Sequence, residues 1–93
     1  MDTNEKLATF FRAIENDPRI SITHIGVFSA ILQYWQSHEG RNPVEAYSYD
    51  IMPLAKISSS KTYHRCIRDL NAYGYVRYEA SFKRNQASKI YLN

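Results

Sequence analysis

A chain of 93 residues has room for one hydrophobic core and none for the second, substrate-binding domain that many enzymes carry. With 44% hydrophobic and 23% charged residues it has the apolar content to fold, which excludes disorder on compositional grounds. The net charge of +3 does not by itself point to a polyanion, but it is unevenly placed: residues 1–55 hold four Lys or Arg against seven Asp or Glu, and residues 56–93 hold eight against two.

Leu7, Phe10, Phe11 and Ile14 recur at i, i+3, i+4 and i+7 within Glu5 to Asn16, the spacing of an amphipathic helix, which must end before Pro18. A second helix is expected to begin at Ser21 or Thr23, either of which can cap it, and to end at Gly40. Its stripe of Ile25, Phe28, Leu32 and Trp35, with Ala30 and Ile31 alongside, places it centrally, with Trp35 as its anchor. Val44 to Tyr47 reads as an edge strand. Ser48 is the expected cap of a third helix over Tyr49 to Ile57, bent near Pro53. After the serine-rich turn, Ser59 caps a fourth helix running to Tyr73, whose buried stripe is Tyr63, Cys66, Ile67 and Leu70 and whose end is Gly74. The period then changes to two. Val76, Tyr78, Ala80 and Phe82 alternate with polar residues, and Ile90 and Leu92 do so after a polar turn; a hairpin over 76–92 with its tip at 83–86 follows.

This order of elements predicts an α+β, mostly helical fold of the winged helix-turn-helix type, occupying residues 1–93 as a single domain. Burial of one stripe of the fourth helix leaves Ser60, Lys61, His64, Arg65 and Arg68 on the free face. Ser59, Ser60 and Thr62 stand at its start, where hydroxyls and the positive end of the helix dipole suit phosphate. Lys83 and Arg84 at the hairpin tip supply a second contact line. The expectation is binding of double-stranded DNA, with Lys61, His64 and Arg65 at base edges and Lys56, Arg68, Lys83, Arg84 and Lys89 on phosphates.

The stretch LAKISSSKTYHRCIRDLNAYGYVRYEASF, followed by SKIYL and preceded by NDPRISITHIGVFSAILQYW, also resembles a group of small bacterial winged helix-turn-helix proteins. That group is described as DNA-binding or transcriptional regulators and is often linked with mobile elements. AKISS, TYHRC and YGY are the most specific parts of the likeness. It implies transcriptional regulation, or an accessory role in replication or excision of a mobile element. The chain departs from the group's pattern at Asp50, Ile51, Met52 and Pro53, where a more polar helix start is usual.

Other classes are weighed against this. A protein-interaction module would use the acidic N-terminal helices to dock a partner, and the same helices are where a homodimer is expected to form. An enzyme has little to build on: there is no carboxylate pair, glycine-rich phosphate loop or nucleophile–base spacing, so no catalytic residue is assigned. Cys66 with His24, His38 and His64 lacks the clip spacing of a zinc site, and neither a metal nor a cofactor is expected. Cys66 reads as an inert core thiol, and a lone cysteine fits a reducing compartment. No apolar run approaches the roughly 20 residues of a membrane span, and MDTNEKLATFF is acidic where a signal peptide is basic. A cytoplasmic protein without a membrane partner is therefore expected.

Overall fold

The computed structural model describes residues 3–92. Four helices and a three-stranded antiparallel sheet follow one another as α1 (Thr3–Ile14), α2 (Ile22–Ser37), β1 (Val44–Ala46), α3 (Ser48–Ala55), α4 (Ser60–Ala72), β2 (Val76–Glu79) and β3 (Ser88–Leu92). The fold is α+β and mostly helical. The core lies where α2, the most apolar helix, meets the other three helices and β1. Val27, Ile31, Ile51, Cys66, Ile67, Leu70 and Ile90 are wholly buried there. α1 closes this same core: Phe10 stacks on Phe28 with ring centroids 3.9 Å apart, while Phe11 stays 46% exposed. Trp35 is half-buried, close enough to Gly40 that a Cβ there would lie 3.4 Å from its ring.

The helix ends follow local chemistry. α4 and α3 both close with the paired bonds of a Schellman motif, in which the chain reverses through one left-handed residue. At α4 that residue is Gly74 (φ 86°), with Tyr75 N–H bonded to Leu70 O and Gly74 N–H to Asn71 O. At α3 it is Lys56 (φ 60°), with Ile57 N–H on Met52 O and Lys56 N–H on Pro53 O. α3 thus stops at Ala55, two residues short of the Ile57 that periodicity predicts. Its start differs too. Tyr47, not Ser48, is the cap residue, and Asp50 reaches back to accept the Tyr47 N–H at 2.9 Å. α2 leaves the helix at His38, and Glu39 (φ 65°) turns left-handed one residue before Gly40.

The sheet order is β1-β3-β2, so the last strand in sequence is central. Val44 pairs with Ile90 and Ala46 with Ser88 on one side; Val76 pairs with Leu92 and Tyr78 with Ile90 on the other. These residues line the inner face. The Asn42 side chain adds a further rung, donating to Leu92 O at 2.9 Å and accepting from Leu92 N–H at 3.0 Å. β2 is shorter than its alternation predicts and ends at Glu79. Beyond it the Ser81 N–H bonds the Ser88 hydroxyl, 3.1 Å away, in place of a backbone carbonyl, the competition that serine side chains offer to a ladder. Ala80 and Phe82, which the alternation assigns to the inner row, are consequently exposed.

A polar clamp joins the α1–α2 connector to the turn after α4. Asp17 accepts two bonds of 2.8 Å from Arg19 and a third from the Tyr75 hydroxyl at 2.5 Å. The guanidinium of Arg19 lies 3.9 Å over the Tyr73 ring. Arg19 and then Tyr75 hold the Asp17 carboxyl well below the usual carboxylate range. The bond to Asp17 pushes the Tyr75 phenol up.

Two expectations follow. A lysine in the left-handed region carries a Cβ clash that glycine lacks, so Lys56→Gly should gain about 0.5–1 kcal/mol, read as a higher urea midpoint. Because the folded-state pKa of Asp17 is depressed, its stabilisation is whole above the unfolded-state pKa and is lost progressively as pH falls from there toward the lower folded-state value. Asp17→Asn should therefore unfold at lower urea than the parent at neutral pH, and the gap should close as pH falls below about 4.

Candidate functional site

α4 carries the residues of interest. Its first turn is set by Ser59, whose Oγ accepts the Thr62 N–H at 3.2 Å, leaving Ser58, Ser59 and Ser60 exposed at the helix entrance. Tyr63, Cys66, Ile67 and Leu70 are buried as their spacing predicts. Burial pushes the Tyr63 phenol up, and the Cys66 thiol has no solvent exposure. Lys61, Arg65 and Arg68, at i, i+4 and i+7, occupy the strip directly opposite. All three are exposed.

A buried imidazole from the start of α2 bonds the last turn of this helix. The His24 Nδ1 accepts the Ser21 N–H at 2.9 Å, while Ser21 Oγ accepts the His24 N–H at 3.4 Å, closing a capping box with His in place of the usual Glu or Gln. Since Nδ1 is an acceptor, Nε2 carries the proton and donates it to Asp69 Oδ2 at 2.8 Å. His24 is only 6% exposed. Asp69 is thereby turned toward α2 and away from the cationic strip, although it stands at i+4 from Arg65.

The remaining candidates fall into separate environments. His64 donates from Nδ1 to the Ser60 carbonyl at 2.8 Å, lies 3.2 Å from Ser60 Oγ and sits edge-on to Tyr63. It is half-buried on the flank of the strip, with Nε2 left for a ligand. Thr62 is half-buried on the other flank, and Lys56 is exposed at the end of α3. Lys89 differs. On the outer face of the sheet it pairs across strands with Glu45 on one side and Glu79 on the other. In the same face Arg77 bonds Glu79 at 3.1 Å and lies 3.8 Å over the Tyr91 ring. Among the described residues Lys89 enters no ion pair of its own, but its two cross-strand neighbours are carboxylates, which sets its surroundings apart from those of the other predicted phosphate contacts.

Lys83 and Arg84 are exposed in the loop between β2 and β3. Here lies the feature that sequence reasoning missed: Phe82, beside them, is 98% exposed. The signal that was present is its position next to two cations and a polar tip. The period-two pattern drew it into the strand instead.

Arg19, Arg41 and Arg77 each hold a carboxylate. Among the described residues Lys56, Lys61, Arg65, Arg68, Lys83, Arg84 and Lys89 enter no ion pair. Also among the described residues, no group of three or more His, Cys, Asp or Glu is arranged to hold a metal ion, and no helix is long and apolar enough to cross a membrane. No protein-family model, curated protein or solved structure matches the chain.

If His24 sets the seat of α4, His24→Ala should cost about 2 kcal/mol through the lost bonds and the small cavity left behind. Urea unfolding followed by tryptophan fluorescence from Trp35 measures it directly.

Proposed function

We propose that the chain is a winged helix-turn-helix protein that binds double-stranded DNA and regulates transcription in the cytoplasm. In this reading α3, the serine turn and α4 form the helix-turn-helix, α4 enters the major groove, and the β2–β3 hairpin is the wing. The observation that carries it is the unpaired set of cations: Lys61, Arg65 and Arg68 along one strip of α4, with Lys83 and Arg84 in the hairpin loop.

Their arrangement costs the isolated domain stability. Lys61 stands in the first turn of α4, where the helix dipole disfavours a cation, and Lys61 with Arg65 is a like-charged i,i+4 pair. No acidic residue lies in that first turn to offset them. A polyanion relieves both penalties, and an α-helix fits the width of the major groove. Arg65 and Lys61 are the candidates for base edges, with His64 reaching in through Nε2. Arg68, Lys56, Lys83 and Arg84, together with the hydroxyls of Ser59, Ser60 and Thr62, position the domain on phosphates. Lys89, between two carboxylates, is a minor contributor. A homodimer through the N-terminal helices is an addition to this reading, favoured by the exposed ring of Phe11 on α1.

The test is fluorescence anisotropy of a mixed-sequence duplex titrated at rising salt. With about four phosphates neutralised, log K should fall against log salt with a slope of roughly −3 to −4, and Lys83→Ala/Arg84→Ala should make it shallower by about 2. Indifference to duplex at about 50 mM salt rules the reading out and favours a protein-docking role for the acidic helices.

A further inference from the structure

Phe82 is the most exposed large apolar side chain of the described residues, at 98%. A solvent-exposed phenylalanine forgoes the burial free energy that the rest of the hydrophobic residues gain, and the backbone on its C-terminal side is tied by hydrogen bonds. Ser81 clasps the backbone on either side of it. The Ser81 hydroxyl accepts the Lys83 N–H at 3.3 Å and lies 3.4 Å from the Lys83 carbonyl, while the Ser81 N–H is fixed on Ser88. Gln86 N–H returns to Lys83 O at 3.3 Å, closing the loop tip. Phe82 therefore sits just before the pinned tip of a loop whose nine residues, 80–88, include Lys83 and Arg84 and no acid.

An exposed aromatic ring followed directly by two cations fits one surface chemistry best: stacked bases beneath a phosphate backbone. We infer that Phe82 is a wedge that enters the groove beside the segment read by α4 and pushes into a base step, opening the stack and bending the duplex, while Lys83 and Arg84 grip the flanking phosphates. The inference rests on the duplex-binding reading above and specifies what the hairpin adds to it. Apolar side chains inserted in this way characteristically unstack one step and kink the helix axis. The clasp by Ser81 supplies the stiffness that a wedge needs, since a ring on a freely moving loop would lose part of its contact energy to ordering.

The experiment uses the full chain and a mixed-sequence duplex of about 30 base pairs carrying 2-aminopurine at several positions and a dye at each end. The parent should raise 2-aminopurine fluorescence as a step unstacks, and should bring the ends together by a bend of at least about 20°. Phe82→Ala should bind about 5- to 100-fold more weakly, the range set by loss of one base–aromatic contact. It should also leave the duplex straight and keep the parent's salt slope, whereas Lys83→Ala/Arg84→Ala should flatten the slope. Phe82→Trp should restore both bend and affinity. The outcomes separate cleanly. Equal affinity and geometry for parent and Phe82→Ala overturns the wedge and leaves duplex binding standing. A parent that does not bind duplex at low salt overturns both. A fall in thermal stability of Phe82→Ala as large as that of a core truncation shows that the ring is packed, and this also overturns the wedge.

Discussion

The rotational setting of α4 is the constraint on which the rest of this structure depends. A helix with a buried stripe can still roll as its side chains repack, and such a roll would turn Lys61, Arg65 and Arg68 sideways. Two kinds of interaction oppose it. Tyr63, Cys66, Ile67 and Leu70 fill the core, a non-directional force that sets which side is in. The His24–Asp69 bond is directional and sets the angle. Its strength comes from the far side of the ring, where the Ser21 N–H occupies Nδ1 and leaves Nε2 a single role. The start of α2 and the roll of α4 are thus one hydrogen-bonded unit. Asp17, Arg19, Tyr73 and Tyr75 hold the turn that follows this same C-terminal end of α4 in a similar manner.

Local pairing matters more here than net charge. The C-terminal excess of cations divides into a group on the outer face of the sheet, where carboxylates stand beside it, and a group on α4 and the hairpin loop that enters no ion pair among the described residues. Antiparallel register places Glu45 and Glu79 on either side of Lys89, and Arg77 bonds Glu79 on its own strand. On α4, Asp69 bonds His24 and pairs with neither Arg65 nor Arg68.

Much of this was legible in the residues themselves. Ser21, Ser59 and Gly74 mark helix boundaries because capping and left-handed turns are local events, decided within four or five residues. The buried stripe of α4 was legible for the same reason. Other features depend on partners that periodicity does not name. The cap of α3 comes from Asp50 reaching back to Tyr47, although Ser48 is the better cap by residue type. Lys56 turns left-handed where a glycine would be expected. β2 stops at Glu79 because the serine hydroxyls of the loop compete for its ladder, and the same early stop releases Phe82.

The amino-acid sequence by itself determined the order of helices and strands, which side of each helix is apolar, and that the cations lie mostly after residue 55, since those properties follow from spacing and composition over a few turns. Tertiary structure decided which cations remain available. It surrounded Lys89 with carboxylates through strand register, drew Asp69 toward a histidine 45 positions away, and left Phe82 in water. The first two depend on contacts between residues distant in the chain and the third on a loop tied between Ser81 and Ser88, and the free energy of such contacts depends on geometry that no local pattern encodes.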